Sequence, residues 1–307
     1  MLLKDISFVI PVYNRPNEID ELLKSFSRLE GDKDFEIVII EDGSTEKCDH
    51  IVKSFSDLNI SYHLKSNSGP GDSRNYGMSV AKGKYYVILD SDVILPVNYN
   101  VLLIENLTND FSDCFGGVDD SHQSFNNFQK AVSYSMTSFI TTGHIRGGSK
   151  SKDFQPRSFN MGISKEAFLK SKGFGNIHPG EDPDLSIRLK KLGFNTKLYR
   201  NLKVFHKRRV SLSSFIKQVY KFGVARSILN NRYPKTKKII YWFPLLFSCV
   251  FLISIFLFLF RISNLILIIY LLYFLLIFVQ SSLKNNLLVG LLSICLLYTS
   301  PSPRDQS

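Results

Sequence analysis

The sequence predicts an α/β domain with a mainly parallel central sheet flanked by helices, followed by a C-terminal transmembrane helical hairpin. Short, β-rich, nearly continuous apolar runs alternate with stretches of helical spacing through the first ninety residues, as strands covered on both faces do. Polar clusters recur at the ends of three such runs, Tyr13-Asn14, Glu41-Asp42-Gly43 and Asp90-Ser91-Asp92, where open α/β sheets bind ligands. Charge and hydropathy then change together. Residues 1–184 carry 19 Lys/Arg against 26 Asp/Glu, whereas 185–307 carry 19 against the lone Asp305 and contain long apolar segments.

Ile6–Val12 is the first buried strand, and Tyr13-Asn14-Arg15-Pro16 is a turn. Asn17 is expected to cap a helix whose apolar face is Ile19, Leu22, Leu23 and Phe26. Phe35–Ile40 is a second strand, and two strands joined by a helix make a right-handed parallel unit. The alternation continues with a helix around Lys47–Phe55, a strand around Ile60–Leu64, a glycine-containing loop, a helix from about Asp72 to Ala81, and a strand ending at Asp90. Residues 110–160 read as loops with one or two strands, Cys114–Val118 among them. They include a polar, aromatic-dotted stretch from Ser121 to Ser138 and a glycine-rich basic loop, Gly143–Lys150. A strand over Ser158–Ser164 leads into a helix, Lys165–Lys172. A further helix runs from Glu181 to Gly193, with Asp182 as N-cap, Pro183 at its first position, Leu185 and Leu189 buried and Gly193 as C-cap.

The basic C-terminal part beside apolar segments points to the anionic cytoplasmic face of a membrane rather than to nucleic acid. Ser211–Leu229 has Leu212, Phe215, Ile216, Val219 and Phe222 at helical spacing, with Lys217, Lys221 and Arg226 on the other side, which suggests an interfacial helix. Residues 239–260, 22 uncharged and almost wholly apolar, are enough to cross a bilayer core that needs ~20, and 262–281 are expected as a second span after a short turn at Arg261. Lys235, Lys237, Lys238 and Lys284 flank this hairpin, which places both flanks in the cytoplasm of a multi-pass inner- or plasma-membrane protein. The scattered Cys48, Cys114, Cys249 and Cys295 fit a reduced compartment, and the chain opens on a strand rather than a signal peptide. The expected organisation is 1–208 as catalytic domain, split into 1–96 and 97–208, then 209–238 as basic interfacial helix and linker. Transmembrane helices follow over 239–298, the third, from residue 287, too short to span comfortably and read as truncated. The 299–307 tail has a foreign composition and reads as non-native.

Residues i and i+2 of an extended chain point the same way, so Asp90 and Asp92 can converge on one hard cation. Five motifs stand in order: Val9-Ile-Pro-Val-Tyr-Asn14, Ile39-Ile-Glu-Asp-Gly-Ser44, Asn67-Ser-Gly-Pro-Gly-Asp-Ser-Arg-Asn-Tyr-Gly77, Asp90-Ser-Asp92 and Gly180-Glu-Asp-Pro-Asp-Leu-Ser-Ile-Arg188. Through them the chain resembles the family 2 glycosyltransferases of the glycosyltransferase-A fold, from Ile6 to about Ile228. The resemblance implies inverting transfer of a sugar from a nucleotide-diphosphate sugar to a hydroxyl acceptor, with Mn²⁺ or Mg²⁺.

It implies nucleotide-sugar contacts from Pro11, Tyr13, Asn14, Asp42, Gly69, Arg74, Asp90 and Ser91, and a metal held by Asp92 with Asp90 and His206. Asn75 and Gly77 are expected to hold the glycine loop against the sheet. A helix N-terminus favours an ionised carboxylate, which a general base must be. Asp182 is therefore read as the base, with Glu181 as the alternative base or an acceptor-orienting residue. Asn160 and His178 are candidate acceptor contacts. Glu41 stands where the family commonly has Asp, which leaves its role open. Gln218-Val-Tyr-Lys-Phe222 replaces the Gln-x-x-Arg-Trp of processive members, which favours transfer of a single sugar, to a lipid-linked or cell-envelope glycan precursor. Two rival readings are a sugar nucleotidyltransferase on a similar fold, for which no glycine-rich motif with a basic residue follows the first strand, and a non-catalytic membrane scaffold.

Overall fold

The structure, a computed structural model, describes residues 1–120, 125–142, 154–206, 211–237 and 242–297. The chain divides into two compact units, Met1–His122 with Ser151–Lys207, and Gln123–Lys150 with Arg208–Ser307. The expected Gly143–Lys150 loop and the 299–307 tail lie outside the described residues.

In chain order the first unit contains β1 (Ile6–Val12), α1 (Pro16–Ser27), β2 (Glu36–Asp42), α2 (Asp49–Val52), β3 (Ile60–Lys65), α3 (Pro70–Val80), β4 (Tyr85–Leu89), β5 (Val93–Ile94), α4 (Tyr99–Asn109) and β6 (Cys114–Asp120). The second unit then takes α5 (Asn127–Thr137) and α6 (Phe139–Thr142). The chain returns to the first unit with β7 (Asn160–Ser164), α7 (Lys165–Ser171), α8 (Glu181–Lys191) and β8 (Thr196–His206). The second unit continues with α9 (Leu212–Arg232), α10 (Phe243–Leu259), α11 (Leu265–Lys284) and α12 (Leu287–Leu297).

Among the described residues the sheet order is β3-β2-β1-β4-β7-β6-β8-β5. The expected parallel sheet is present as β3-β2-β1-β4. The other half is mixed, because β7 runs antiparallel to both β4 and β6, and β5 antiparallel to β8. Consecutive strands joined by one helix are held parallel by their crossover, whereas β7 arrives after α4, β6 and residues 121–159 and is free of that constraint. Side-chain alternation sorts the core into two layers. Phe8, Ile10, Ile37, Ile39, Val87 and Leu89 pack with α1 and α4, while Val9, Val38, Ile40, Tyr86 and Ile88 face α3, α7 and α8.

Local details differ from expectation in ways that shape the strand ends. Helix α1 starts at Pro16, not behind an Asn17 cap, since proline lacks the N–H that a cap would satisfy. Helix α2 shrinks to Asp49–Val52, and α3 starts at Pro70 after Gly69, whose φ is 92°. Helix α3 lies close against β1, as expected of Gly77: a Cβ there would stand 2.5 Å from Val9 Cγ1 and 3.1 Å from Ile40 Cγ1. Gly77→Ala is expected to lower stability by about 1–3 kcal/mol through overpacking, measured as a fall in thermal midpoint. An unchanged midpoint would show that the helix can move away.

In the second unit, part of the stretch read as polar loop is helical, Asn127–Thr137. An Asn126/Gln129 capping box starts α5. Ala131, Val132 and Met136 bury against Phe215, Val289 and Leu296. Gln280 on α11 accepts hydrogen bonds from Tyr134 and Ser138, and Ser281 bonds Ser293 at 2.9 Å, polar links between otherwise apolar helices. Among the described residues one helix, Leu265–Lys284, is long and apolar enough to cross a membrane. Helix α10, expected as a second span, has 17 residues, about 25 Å at 1.5 Å per residue. On α9 the expected apolar face is split. Phe215 turns inward with Ala225 and Leu229, and Leu212, Ile216, Tyr220, Val224 and Ile228, four residues apart, form an exposed stripe.

Candidate active site

The ends of β1, β4, β5 and β8 bring together side chains remote in sequence. Asp90, Ser91 and Asp92 form the turn between β4 and β5, and Val93 of β5 pairs with His206, the last residue of β8. That pairing sets His206 Nε2 at 3.1 Å from Asp92 Oδ1, while Arg15, at the start of α1, donates to Asp92 Oδ2 at 2.8 Å. One ligand atom from each of Asp90, Asp92 and His206 lies within 4.8 Å of the others. Two carboxylate oxygens and an imidazole nitrogen suit Mn²⁺ or, with more retained water, Mg²⁺, so the donor set fits a divalent cation. Burial opposes ionisation of Asp92, but His206 and Arg15 hold its carboxyl well below the ordinary range. The His206 ring stacks on Phe159 at 5.1 Å and 16°, which restrains the imidazole.

Arg74 on α3 is 5% exposed and joins two carboxylates from different elements, donating to Asp90 Oδ1 at 2.9 Å and Glu181 Oε1 at 3.1 Å. Phe174 covers its guanidinium at 5.3 Å. The resemblance implied a base or diphosphate contact for Arg74; its position makes it a bridge between the β4 turn and α8. Asn75 helps to set that bridge, donating to Phe174 O at 2.9 Å and accepting from Phe174 N at 2.8 Å. Burial opposes ionisation of Glu181 too. His178, 3.2 Å away, and the charge of Arg74 nevertheless bring its carboxyl down to about 2.

Asp182 is not the N-cap of α8. The helix begins at Glu181, with Gly180 at the cap position. The Asp182 side chain turns to the arm preceding β7, where its Oδ2 accepts from Ser158 N at 3.1 Å and Ser158 Oγ at 3.3 Å. Its Oδ1 is buried and has no hydrogen-bond partner among the described residues. Burial, then the neighbouring Glu181 carboxylate, push the Asp182 carboxyl up from 3.8 to about 6. A helix N-terminus alone would hold it ionised; here desolvation wins and leaves a proton acceptor poised near neutrality.

Several expected contacts have structural work in this fold. Both oxygens of Asp42 are engaged, Oδ1 with Lys65 at 2.7 Å and Ser68 N at 3.0 Å, and Oδ2 with Gly69 N at 2.9 Å. Burial opposes its ionisation, and Lys65 with the Ser68 amide holds its carboxyl below the ordinary value. Asn14, at φ 51°, uses its side-chain oxygen to accept from Thr45 N, Thr45 Oγ1 and Glu46 N at 2.8–3.1 Å. It locks the loop after β1 to the loop after β2. Glu41 ties β2 to Ser44, Cys48 and Tyr62. Pro11 is buried in β1, Ser91 is buried in its turn and Tyr13 is exposed.

Asn160 is fully buried. Its Oδ1 accepts from Tyr99 at 2.6 Å and its Nδ2 donates to Leu202 O at 3.1 Å. It fills an irregularity where β8 slips against Gly117 and Val118 of β6, so the core withdraws it from any acceptor. His178 is exposed and reaches Glu181 instead of standing apart. Sequence reasoning missed Arg15 and Ser158, whose roles arise from contacts 77 and 24 residues away along the chain. It also passed over Arg157, beside Ser158.

A sequence model of glycosyl transferase family 2 matches residues 7–171. An uncharacterized glycosyltransferase of Rickettsia conorii, RC0461, is 46% identical over 88 residues, covering 28% of this chain and 14% of its own length. TarS of Staphylococcus aureus, a poly(ribitol-phosphate) β-N-acetylglucosaminyltransferase, is 37% identical over 90 residues, 28% of this chain and 16% of that protein. The chain thus matches a small part of these relatives' length. The crystal structure of S. aureus TarS 1-349 in complex with UDP-GlcNAc superposes at a TM-score of 0.54 with 19% identity, covering 74% of this chain and 67% of that one. The mannosyltransferase PcManGT of Pyrobaculum calidifontis, in complex with GDP-Man and Mn²⁺, superposes at 0.57 with 13% identity, covering 96% and 86%. The last two likenesses establish the glycosyltransferase-A-like fold.

Proposed function

The chain belongs to glycosyl transferase family 2, and from that premise we propose that it is a membrane-anchored, inverting enzyme moving one sugar from a nucleotide-diphosphate sugar to an acceptor hydroxyl. The observation that carries the mechanism is the joining of Asp90, Asp92 and His206 to Asp182 through Arg74 and Glu181. Asp182 accepts the proton of the acceptor hydroxyl at its unpaired Oδ1. The acceptor oxygen bonds to the anomeric carbon as the bond from that carbon to the diphosphate breaks, and a single in-line displacement inverts configuration. Glu181, held ionised by His178 and Arg74, orients the acceptor side and keeps Asp182 basic. Asp90, Asp92 and His206 would hold Mn²⁺ or Mg²⁺, which supplies Lewis-acid neutralisation of the leaving diphosphate when bound.

A cell-envelope or lipid-linked glycan acceptor is supported by the similarity to TarS. The test is a nucleotide-sugar panel that starts with UDP-GlcNAc and GDP-Man, with and without Mn²⁺, scored for binding and for release of nucleoside diphosphate. Binding strengthened by metal and lost in Asp92→Asn is the expected result. Release of pyrophosphate would point instead to nucleotidyl transfer, and failure to bind any donor would sink the enzyme mechanism.

Membrane anchorage rests on α11, on the exposed α9 stripe, and on Lys217, Lys221, Arg232, Lys235 and Lys237 with no acidic residue among 211–237. The first unit then lies on the cytoplasmic side, catalytic, with the second as its anchor. An indole introduced by Tyr220→Trp, in a Trp242→Phe background, should be quenched by brominated phospholipid after reconstitution into anionic vesicles. An unquenched indole would remove α9 from the interface.

A further inference from the structure

Among the described residues, the arginines around the site and Lys65 are paired, with Arg157 as the exception. Arg15 is paired with Asp92, Arg74 with Asp90 and Glu181, Lys65 with Asp42, and Arg188 with Asp184. Arg157 stands beside them with a buried Nη2 that has no hydrogen-bond partner among the described residues. Arg157 itself is half-buried, but leaving one of its N–H donors buried and unpaired has a cost that a guanidinium cannot relieve by giving up its proton.

The position of Arg157 is built rather than incidental. The arm that carries it is pressed onto β6, so that a Cβ on Gly116 would come within 2.7 Å of the Phe154 ring and 3.0 Å of Pro156 Cα. The next residue, Ser158, holds Asp182 Oδ2 through both its amide and its hydroxyl. Arg157 and the proposed base are therefore tied to adjacent residues of one arm. The charge of Arg157 is among those acting on Asp182, yet the two side chains do not hydrogen-bond, and each keeps one buried atom unpaired, Asp182 Oδ1 and Arg157 Nη2. A ligand that satisfies both must donate an O–H to the carboxylate and offer anionic oxygen to the guanidinium. The planar fork of arginine suits phosphate oxygens.

We propose that Arg157 is an anion-binding residue on the acceptor side of the site, receiving a phosphate carried near the hydroxyl that reacts, so that the acceptor is a phosphorylated polyol or sugar. This rests on the glycosyl-transfer reading of the same site, with Asp182 as base. The phosphate has two possible sources, the acceptor and the diphosphate of the donor, and the experiment separates them.

Binding of sn-glycerol 3-phosphate, of glycerol and of UDP is measured by calorimetry on the whole 307-residue chain in detergent, as wild type, Arg157→Gln and Arg157→Lys. The wild type should bind glycerol 3-phosphate, and Arg157→Gln should bind it about tenfold to a hundredfold more weakly, the loss of a charge-assisted contact. Arg157→Lys should retain part of the affinity, glycerol should bind poorly to all three, and UDP affinity should be unchanged. Equal binding of glycerol 3-phosphate by wild type and Arg157→Gln overturns the proposal, as does weakened UDP binding in Arg157→Gln, which would place the residue on the donor diphosphate. If Arg157→Gln does not fold, a ³¹P titration of the wild type with glycerol 3-phosphate, in the presence of UDP, decides the matter, and absence of saturable binding overturns it. Failure of the glycosyl-transfer reading shows separately, as a wild type that binds no UDP and no nucleotide sugar.

Discussion

Asp182→Asn is expected to slow sugar transfer by about a hundredfold to ten-thousandfold, the usual contribution of a general base, while donor binding stays near wild type. The amide is nearly isosteric and can still accept from Ser158 at one oxygen, so the arm before β7 should hold its place. The folded protein need not be weaker, and the sign can be worked out. Burial and Glu181 raise the Asp182 carboxyl from 3.8 to about 6, so the folded state binds this proton more tightly than the unfolded chain does. Its contribution to stability is then present at low pH and is lost as pH rises through that window. A neutral Asn escapes the loss, and at pH 7 the variant should melt no lower than wild type. In the wild type, kcat/KM should rise about tenfold per pH unit up to about 6 and level off above it. An active Asp182→Asn would transfer the base role to Glu181, and a rate flat from pH 5 to pH 8 would remove Asp182 from the proton chemistry.

Arg74→Met should have the largest effect on stability. It removes the guanidinium that joins Asp90 to Glu181, both within 3.1 Å of it, and leaves the buried Glu181, among the described residues, with the exposed His178 as its remaining side-chain partner. Breaking a buried ion pair from one side costs about 3–5 kcal/mol, roughly 10 °C in melting midpoint for a domain of this size. Met keeps much of the stem's volume, so the loss measures charge rather than a cavity. Transfer should fall with it, because Glu181 without Arg74 is less acidic and the spacing of the β4 turn and α8 is no longer set. A midpoint within 2 °C of wild type would mean that Arg74 positions nothing.

The catalytic fold was largely legible in the chain, and the reasons are local. The runs Ile6–Val12 and Glu36–Asp42 are buried at every position, and their apolar stretches, Phe8–Val12 and Ile37–Ile40, match a strand covered on both faces. Strand β7 is equally buried but antiparallel to its neighbours, and burial carries no record of direction. Helix α5 was readable in principle from the Asn126/Gln129 box ahead of Ala131 and Val132, but a polar surrounding hid it. On α9 the 3.6-residue period foretold a helix, yet which apolar residues face inward depends on α5 and α12, whose side chains bury Phe215.

The candidate site divides along the same line. The sequence by itself determined which residue types stand at the carboxyl ends of the strands: Asp90 and Asp92 two apart on one chain, and Glu181 and Asp182 opening a helix. Those are matters of spacing, and spacing survives without a fold. Only the tertiary structure decided their charges and partners. Pairing of β5 with β8 brings His206 to Asp92, Arg74 links Asp90 to Glu181, and the arm before β7 turns Asp182 away from the cap of its own helix. Solvation and electrostatic fields depend on every neighbour in space, so the acidity of Asp182 and the Arg157 Nη2 left without a partner among the described residues exist only once those neighbours are assembled.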